Sequence, residues 1–140
     1  MGSKAVLRYI ELKSGYADNG PAWIARVTLS RSGRGLYFGH RLLKRGGGQL
    51  IAGNYFDSET GEEYWVSGVK KDGRDRHPRG SGRIAIEASV LSEYLALVGR
   101  TELDSALFDV VADLGPHDQA RTHAHENRKL EESRGRRTRG

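Results

Sequence analysis

"AWIARVTLS", residues 22–30, decides the fold class. Trp23, Ala25, Val27 and Leu29 fall on one side of an extended chain, and Ile24, Arg26 and Thr28 on the other. That two-residue period is the mark of a strand with its odd-numbered face in a core. Working outward, "VLRYIEL" (6–12) reads as the preceding strand, broken off by "SGYADNGP", and "SGRG" (32–35) reads as a tight hairpin connection because its glycines permit positive φ. It feeds "LYFGHRLLK" (36–44). After "RGGGQ" (45–49), "LIAGNYF" (50–56) leads into "DSETGE", where Asp57 and Gly61 suit a turn, and "EYWVSGVK" (63–70) pairs back as a hairpin. "GRIAIE" (82–87) closes the series with Ile84 and Ile86 facing together. Short strands at this spacing, punctuated by Gly, Asn, Asp and Ser, predict a mainly β domain: a five- or six-stranded SH3- or OB-like barrel, or a bent antiparallel sheet.

The period changes at residue 88. In "ASVLSEYLALVG" Leu91, Tyr94, Leu95 and Val98 recur at helical spacing, with Ser89 placed to cap the start and Gly99 the end, so a helix is expected to plug one end of the sheet. A second, acidic amphipathic helix is expected in "TELDSALFDVVADLGP". Thr101 and Asp104 resemble a capping box, Leu103, Leu107, Val110, Val111 and Leu114 form a stripe, and Glu102, Asp104, Asp109 and Asp113 make up its polar face. From His117 apolar content collapses, which predicts a disordered basic tail ending in "RGRRTRG". The expected organisation is a β-rich domain with its closing helix over 1–99, the acidic helix over 100–116 and the tail over 117–140.

Composition narrows the function. The chain has 140 residues, no cysteine and a net charge of +5. Absence of cysteine removes disulfides, thiolate nucleophiles and Cys-ligated metal, and a reducing cytoplasm is the natural setting. No apolar run approaches the roughly 18 residues of a membrane span. Residues 1–99 hold 15 Lys or Arg against 10 Asp or Glu, and no acid lies between Asn19 and Phe56, where Arg26, Arg31, Arg34, Arg41, Lys44 and Arg45 stand. A surface containing that stretch attracts polyanions.

Cofactor chemistry finds no motif. In "GRGLYFG" the third glycine is one residue too far for a dinucleotide loop, and strand residues follow where a helix should open. No Walker sequence occurs, and Ser67 lacks the GxSxG elbow. Among His40, His77, His117, His123 and His125, only "THAHE" places ligands close, and a spacing of two in an unstructured tail makes a weak chelate, so neither metal nor cofactor is expected. "KKDGRDRH" carries the enzymatic alternative: Asp75 and His77 as an acid–base pair with Lys71, Arg74, Arg76 and Arg79 on a phosphodiester, a metal-free hydrolase.

"RYIELKSGYADNGPAWIARV" (8–27) and "TGEEYWVSGVKKDGRDRH" with the following "GSG" (60–82) resemble a group of short bacterial proteins of uncharacterised function, over residues 4 to 98 or so. The resemblance implies a free-standing bacterial protein built on one small domain and carries no catalytic or binding residues with it. Some similar sequences bear the label deoxyxylulose phosphate synthase; this chain is far too short for that thiamine-diphosphate enzyme and lacks its cofactor motif.

The leading expectation is therefore a non-enzymatic, cytoplasmic module that binds RNA or single-stranded DNA. Arg31, Arg34, Arg41, Lys44 and Arg45 would form one edge of the site, Lys70, Lys71, Arg74, Arg76 and Arg79 the other, with Tyr37 and Tyr55 stacking bases between them and Trp23 and Trp65 in the core. The alternative is a protein-interaction or structural module without nucleic acid, in which the acidic helix over 102–114 and the sheet edges meet a partner or a second copy.

Overall fold

Strand β2 (Ala22–Leu29) is the hub of the molecule, and both of its faces are covered rather than one. The computed structural model describes residues 5–16, 19–76 and 82–114. Along one edge β2 runs antiparallel to β1 (Ala5–Leu12) over most of its length. Its other edge is divided: Ala22–Ile24 pair in parallel with β7 (Ile84–Glu87), and Thr28 and Leu29 pair with β3 (Gly35–Phe38). From β3 the sheet continues through β4 (Arg41–Arg45), β5 (Tyr55–Asp57) and β6 (Glu63–Gly68), and β6 returns to β1. Six antiparallel strands thus close into a small barrel with no free edge.

Two expected boundaries move. "LYFGHRLLK" is two strands, because Gly39 at φ +58° reverses the chain between Phe38 and Arg41. "LIAGNYF" is strand only from Tyr55; residues 50–54 instead wrap a carboxylate described below. The barrel still numbers six strands because β7 stands outside it.

The inward residues are Ile10, Ala25, Val27, Leu36, Phe38, Leu43, Tyr64 and Val66, with Val6, Leu12, Trp23, Leu29, Tyr55 and Leu114 packed around them. The opposite side of β1 and β2 carries Leu7, Tyr9, Ala22 and Ile24, which join Ile84, Ile86, Val90, Tyr94 and Phe108 in a second core outside the barrel. The expected closing helix exists as α1 (Leu91–Val98), and Gly99 ends it in the left-handed conformation with N–H bonds back to the last turn. It covers this outer core and does not plug the barrel. Ser89 does not cap it; a 3₁₀ turn over Ala88–Val90 leads in, and the Ser89 N–H donates to Asp113.

The expected acidic helix over 100–116 does not form. Asp104 organises a single turn, accepting the Ala106 N–H on its side chain and those of Leu107 and Phe108 on its carbonyl. The chain then becomes β8 (Phe108–Val111), parallel to β7. Parallel neighbours need a long crossover, and α1 with its flanking turns supplies it, making β7–α1–β8 a βαβ unit. Phe108 packs on Tyr94 with ring centroids 5.5 Å apart, while Arg83 pins the turn through the Ser105, Ala106 and Phe108 carbonyls and the Asp109 carboxylate.

One end of the barrel is closed. Trp23, Phe38 and Tyr64 form a chain of edge-on rings, 5.1 and 6.4 Å between successive centroids. Leu114 lies across this end, so close that a Cβ at Gly39 would sit 2.8 Å from its carbonyl oxygen. Fully buried Glu87 holds it there, accepting the N–H of Leu114 on one oxygen and that of Arg26 on the other. Among the described residues no helix is long and apolar enough to cross a membrane.

Candidate nucleic-acid interface

Strand alternation sorts the expected site residues. On the outer face of β3–β6, Gly35 stands opposite Lys44, Lys44 opposite Phe56, and Phe56 opposite Glu63; Tyr37 is opposite Leu42. Ser30, Ser32, Arg34, Gly35, Tyr37, Leu42, Lys44, Arg45 and Phe56 line an open groove of about 470 Å³ across this face. Its rim is the hairpin read from "SGRG": Gly33 takes φ +74°, its N–H meets the Ser30 carbonyl, and the Ser30 and Ser32 hydroxyls accept the N–H groups of Gly35 and Arg34.

Arg45 belongs equally to a second cavity of about 470 Å³ at the open end of the barrel, with Arg8, Leu29, Leu36, Asn54, Tyr55, Val66 and Gly68 among its walls. Neither cavity has an aspartate or glutamate in its lining, among the described residues. The wall over 50–54 is held by Glu63, whose carboxylate accepts the N–H groups of Ile51, Ala52 and Gly53 at 3.0, 2.8 and 2.9 Å. Those bonds hold Glu63 below the usual carboxylate range and spend its charge locally. Asn54 adds a side-chain pairing with the Val66 backbone in both directions, at 2.8 Å each.

The cations divide into two classes. Arg26 is paired with Glu93, Arg41 with Asp57, Arg83 with Asp109, and Arg76 with Glu11. Arg8, Arg31, Arg34, Lys44 and Arg45 have no carboxylate partner among the described residues; Arg8 donates to the Leu7 carbonyl and Arg45 to the Tyr55 hydroxyl. Arg41 thus leaves the expected site. It stands at the closed end, where burial raises the Asp57 carboxyl but the N–H of Glu59, the Arg41 guanidinium and the N–H of Thr60 outweigh it and hold Asp57 low.

The second expected edge does not join the first. Val69 packs on the outer core, and a Cβ at Gly73 would lie 3.6 Å from the Tyr94 hydroxyl, so the turn bearing Lys70, Lys71 and Arg74 sits beside α1. Arg76 is structural, donating to the Gly20 carbonyl at 2.8 Å beside Glu11. Asp75 is buried, accepts the Lys70 N–H, and keeps its second oxygen without a partner among the described residues. Burial, with Asp72 nearby, raises its carboxyl despite the opposing Lys70 N–H and charge. Burial and the Glu11 hydrogen bond likewise push the Tyr9 phenol far up. These groups form an interior polar cluster under the turn. His77 and Arg79 lie outside the described residues, as do His117, His123, His125 and the tail. Among the described residues no cluster of acidic residues, histidines or cysteines could hold a metal ion.

The aromatics change places. Tyr37 is 6% exposed and forms the groove's floor instead of standing free, and Tyr55 is half-buried at the mouth. Trp65, expected in the core, is 41% exposed, because β6 sends Tyr64 and Val66 inward and Trp65 out onto the face that carries Phe56. Trp23 does pack in the core. Arg8, Phe56 and Trp65 are the interface residues that the sequence did not single out. Arg8 had a signal: it breaks the inward row Val6, Ile10, Leu12 with a charge. No family model, curated protein or solved structure matches the chain.

Proposed function

We propose that this chain binds single-stranded nucleic acid, RNA or DNA, across the outer face of β3–β6. One observation carries the reading: Arg34, Lys44 and Arg45, free of carboxylate partners among the described residues, surround an acid-free groove floored by Tyr37 and Phe56, with exposed Trp65 farther along the same face. Cations without carboxylate partners supply phosphate contacts, and the exposed Trp65 ring supplies a surface on which a base stacks whatever its identity. The barrel holds these groups on paired strands, which limits the ordering cost of binding. A duplex offers no free base faces to such a platform, so the reading favours single strands.

Fluorescence anisotropy with a mixed-sequence oligonucleotide of about 15 nucleotides tests it at about 50 mM salt. Combined Arg34→Glu and Lys44→Glu substitution, at exposed positions, abolishes binding while leaving the circular dichroism spectrum unchanged. Undetectable binding by the wild type, or binding indifferent to the double reversal, overturns the reading.

A second reading, a protein-interaction module, draws on β8. It ends the strand order with one edge unpaired among the described residues, and Leu107 and Val110 beside it are half exposed. The hydrolase reading draws no such support, since Asp75 is buried and engaged with its own turn.

A further inference from the structure

Arg8 does not line the groove, yet it lines the cavity at the open end of the barrel, where its guanidinium donates to the Leu7 carbonyl. It belongs to β1 and Arg45 to β4, and these strands are three apart in a closed ring of six, so the two arginines come from opposite walls. Between them the mouth is lined by Leu29, Leu36, Val66 and Tyr55, with no acid in its lining among the described residues. The far end is sealed by Trp23, Phe38 and Leu114, which makes this a blind cup. The rim is already rigid: the hairpin over 30–35 is hydrogen-bonded, and the Glu63 and Asn54 contacts hold the opposite lip.

We infer that the barrel mouth is a subsite for the phosphorylated end of a nucleic-acid strand, a claim that rests on the nucleic-acid reading above. An internal phosphodiester carries one negative charge and is flanked by sugar on both sides, so it cannot enter a blind cup without folding the strand back. A terminal phosphate monoester carries about −1.5 to −2 charges near neutral pH and has three acceptor oxygens, which suits a mouth that draws one arginine from each of two opposite strands. The apolar walls take the attached nucleoside. Arg45, common to both cavities, links the groove to the cup, so a strand lying on the outer face turns over the rim at this residue and ends inside.

Gly68 supplies the decisive variant. It is paired with Arg8 on the same inward face, its φ is not positive, and a Cβ there would meet nothing within 4 Å. Gly68→Phe therefore fills the mouth without removing a cation or straining the strand. Arg8→Gln is the companion that keeps the cup open and removes one charge. The probes are one oligonucleotide with hydroxyl ends, the same strand phosphorylated at its 5′ or its 3′ end, and AMP, and the readout within each variant is the ratio of phosphorylated to unphosphorylated affinity.

In the wild type, phosphate at one end tightens binding about tenfold, the scale of one added charge-assisted contact. That ratio falls to about one in both variants. A ratio of one in the wild type, with the hydroxyl-ended strand still bound, overturns the subsite and leaves the nucleic-acid reading standing. A ratio that survives both variants places the phosphate elsewhere and also overturns it. AMP binding as tightly as the phosphorylated strand makes the cup a free-mononucleotide pocket and overturns the strand-end assignment. If no strand binds at all, the nucleic-acid reading and the subsite fall together.

Discussion

Replacing Arg34 and Lys44 by alanine removes two of the three cations that line the outer groove, and the salt dependence of binding reports the loss directly. Each phosphate contact on a single strand contributes about −0.7 to the slope of log affinity against log salt. Arg34, Lys44 and Arg45 therefore give a hydroxyl-ended oligonucleotide a slope of about −2. Raising salt from about 50 to about 200 mM then weakens wild-type binding about twentyfold. With only Arg45 left, the slope falls to about −0.7 and the same change in salt costs about threefold. Arg74→Ala is the matched control: Arg74 is also an exposed cation, but it stands on the turn beside α1, so the slope stays at the wild-type value. Anisotropy titrations at four or more salt concentrations measure all three slopes. A wild-type slope near zero, or a double variant indistinguishable from wild type, refutes the assignment of these cations to phosphate; a slope that drops equally in Arg74→Ala refutes the separation of the two basic regions.

Trp65→Ala is expected to weaken binding by about 1–3 kcal/mol, the scale of one stacked base, with the salt slope nearly unchanged; the thermal midpoint falls as well, because at 41% exposure much of the side chain is packed, so affinity is read well below it. Glu87→Ala leaves the N–H groups of Arg26 and Leu114 unpaired in a fully buried site, and urea unfolding is expected to show a loss of about 2–5 kcal/mol. Gly39→Ala places a Cβ against the Leu114 carbonyl at φ +58° and is expected to cost about 2 kcal/mol or more in the same assay. Asp75 sets the sign of a pH effect: burial raises its carboxyl above the unfolded value, so the native state resists its ionisation and loses stability as pH rises from the unfolded pKa through the folded one. Asp75→Asn is therefore expected to stabilise the protein at pH of about 7 and to make no difference at about 3, below the ordinary carboxylate range; equal effects at both refute the cause.

Much of the fold was legible because its signals are local. The alternation in 22–30, the glycine hairpin at 32–35, the turn at Asp57–Gly61 and the glycine-ended helix before Gly99 each depend on a few neighbouring residues, and each stands in the structure. The acid-free span was only half informative: Arg34, Lys44 and Arg45 from it line one groove, while Arg26 and Arg41 meet carboxylates distant in sequence. Errors arose where a short apolar segment suits two structures. Leu103, Leu107, Val110 and Val111 fit a helical stripe, and only the vacant edge of β7 turns "FDVV" into a strand. Trp65 stands outside instead of in the core because alternation fixes which residues share a face, while the closure of the ring decides which face is inside; Tyr37 is on the outer face but is covered by its groove neighbours.

From its own order of residues the chain determines that it is a small β structure with a glycine-ended helix before Gly99 and an excess of basic residues, since propensity, period and charge are properties of neighbours. Which cations remain unpaired was decided only in three dimensions: Arg41 meets Asp57 sixteen residues away, Arg26 meets Glu93 sixty-seven away, and Arg8 meets no acid among the described residues. Long-range pairing follows from how the barrel closes and which end Leu114 covers. The groove and the open mouth therefore belong to the tertiary structure alone.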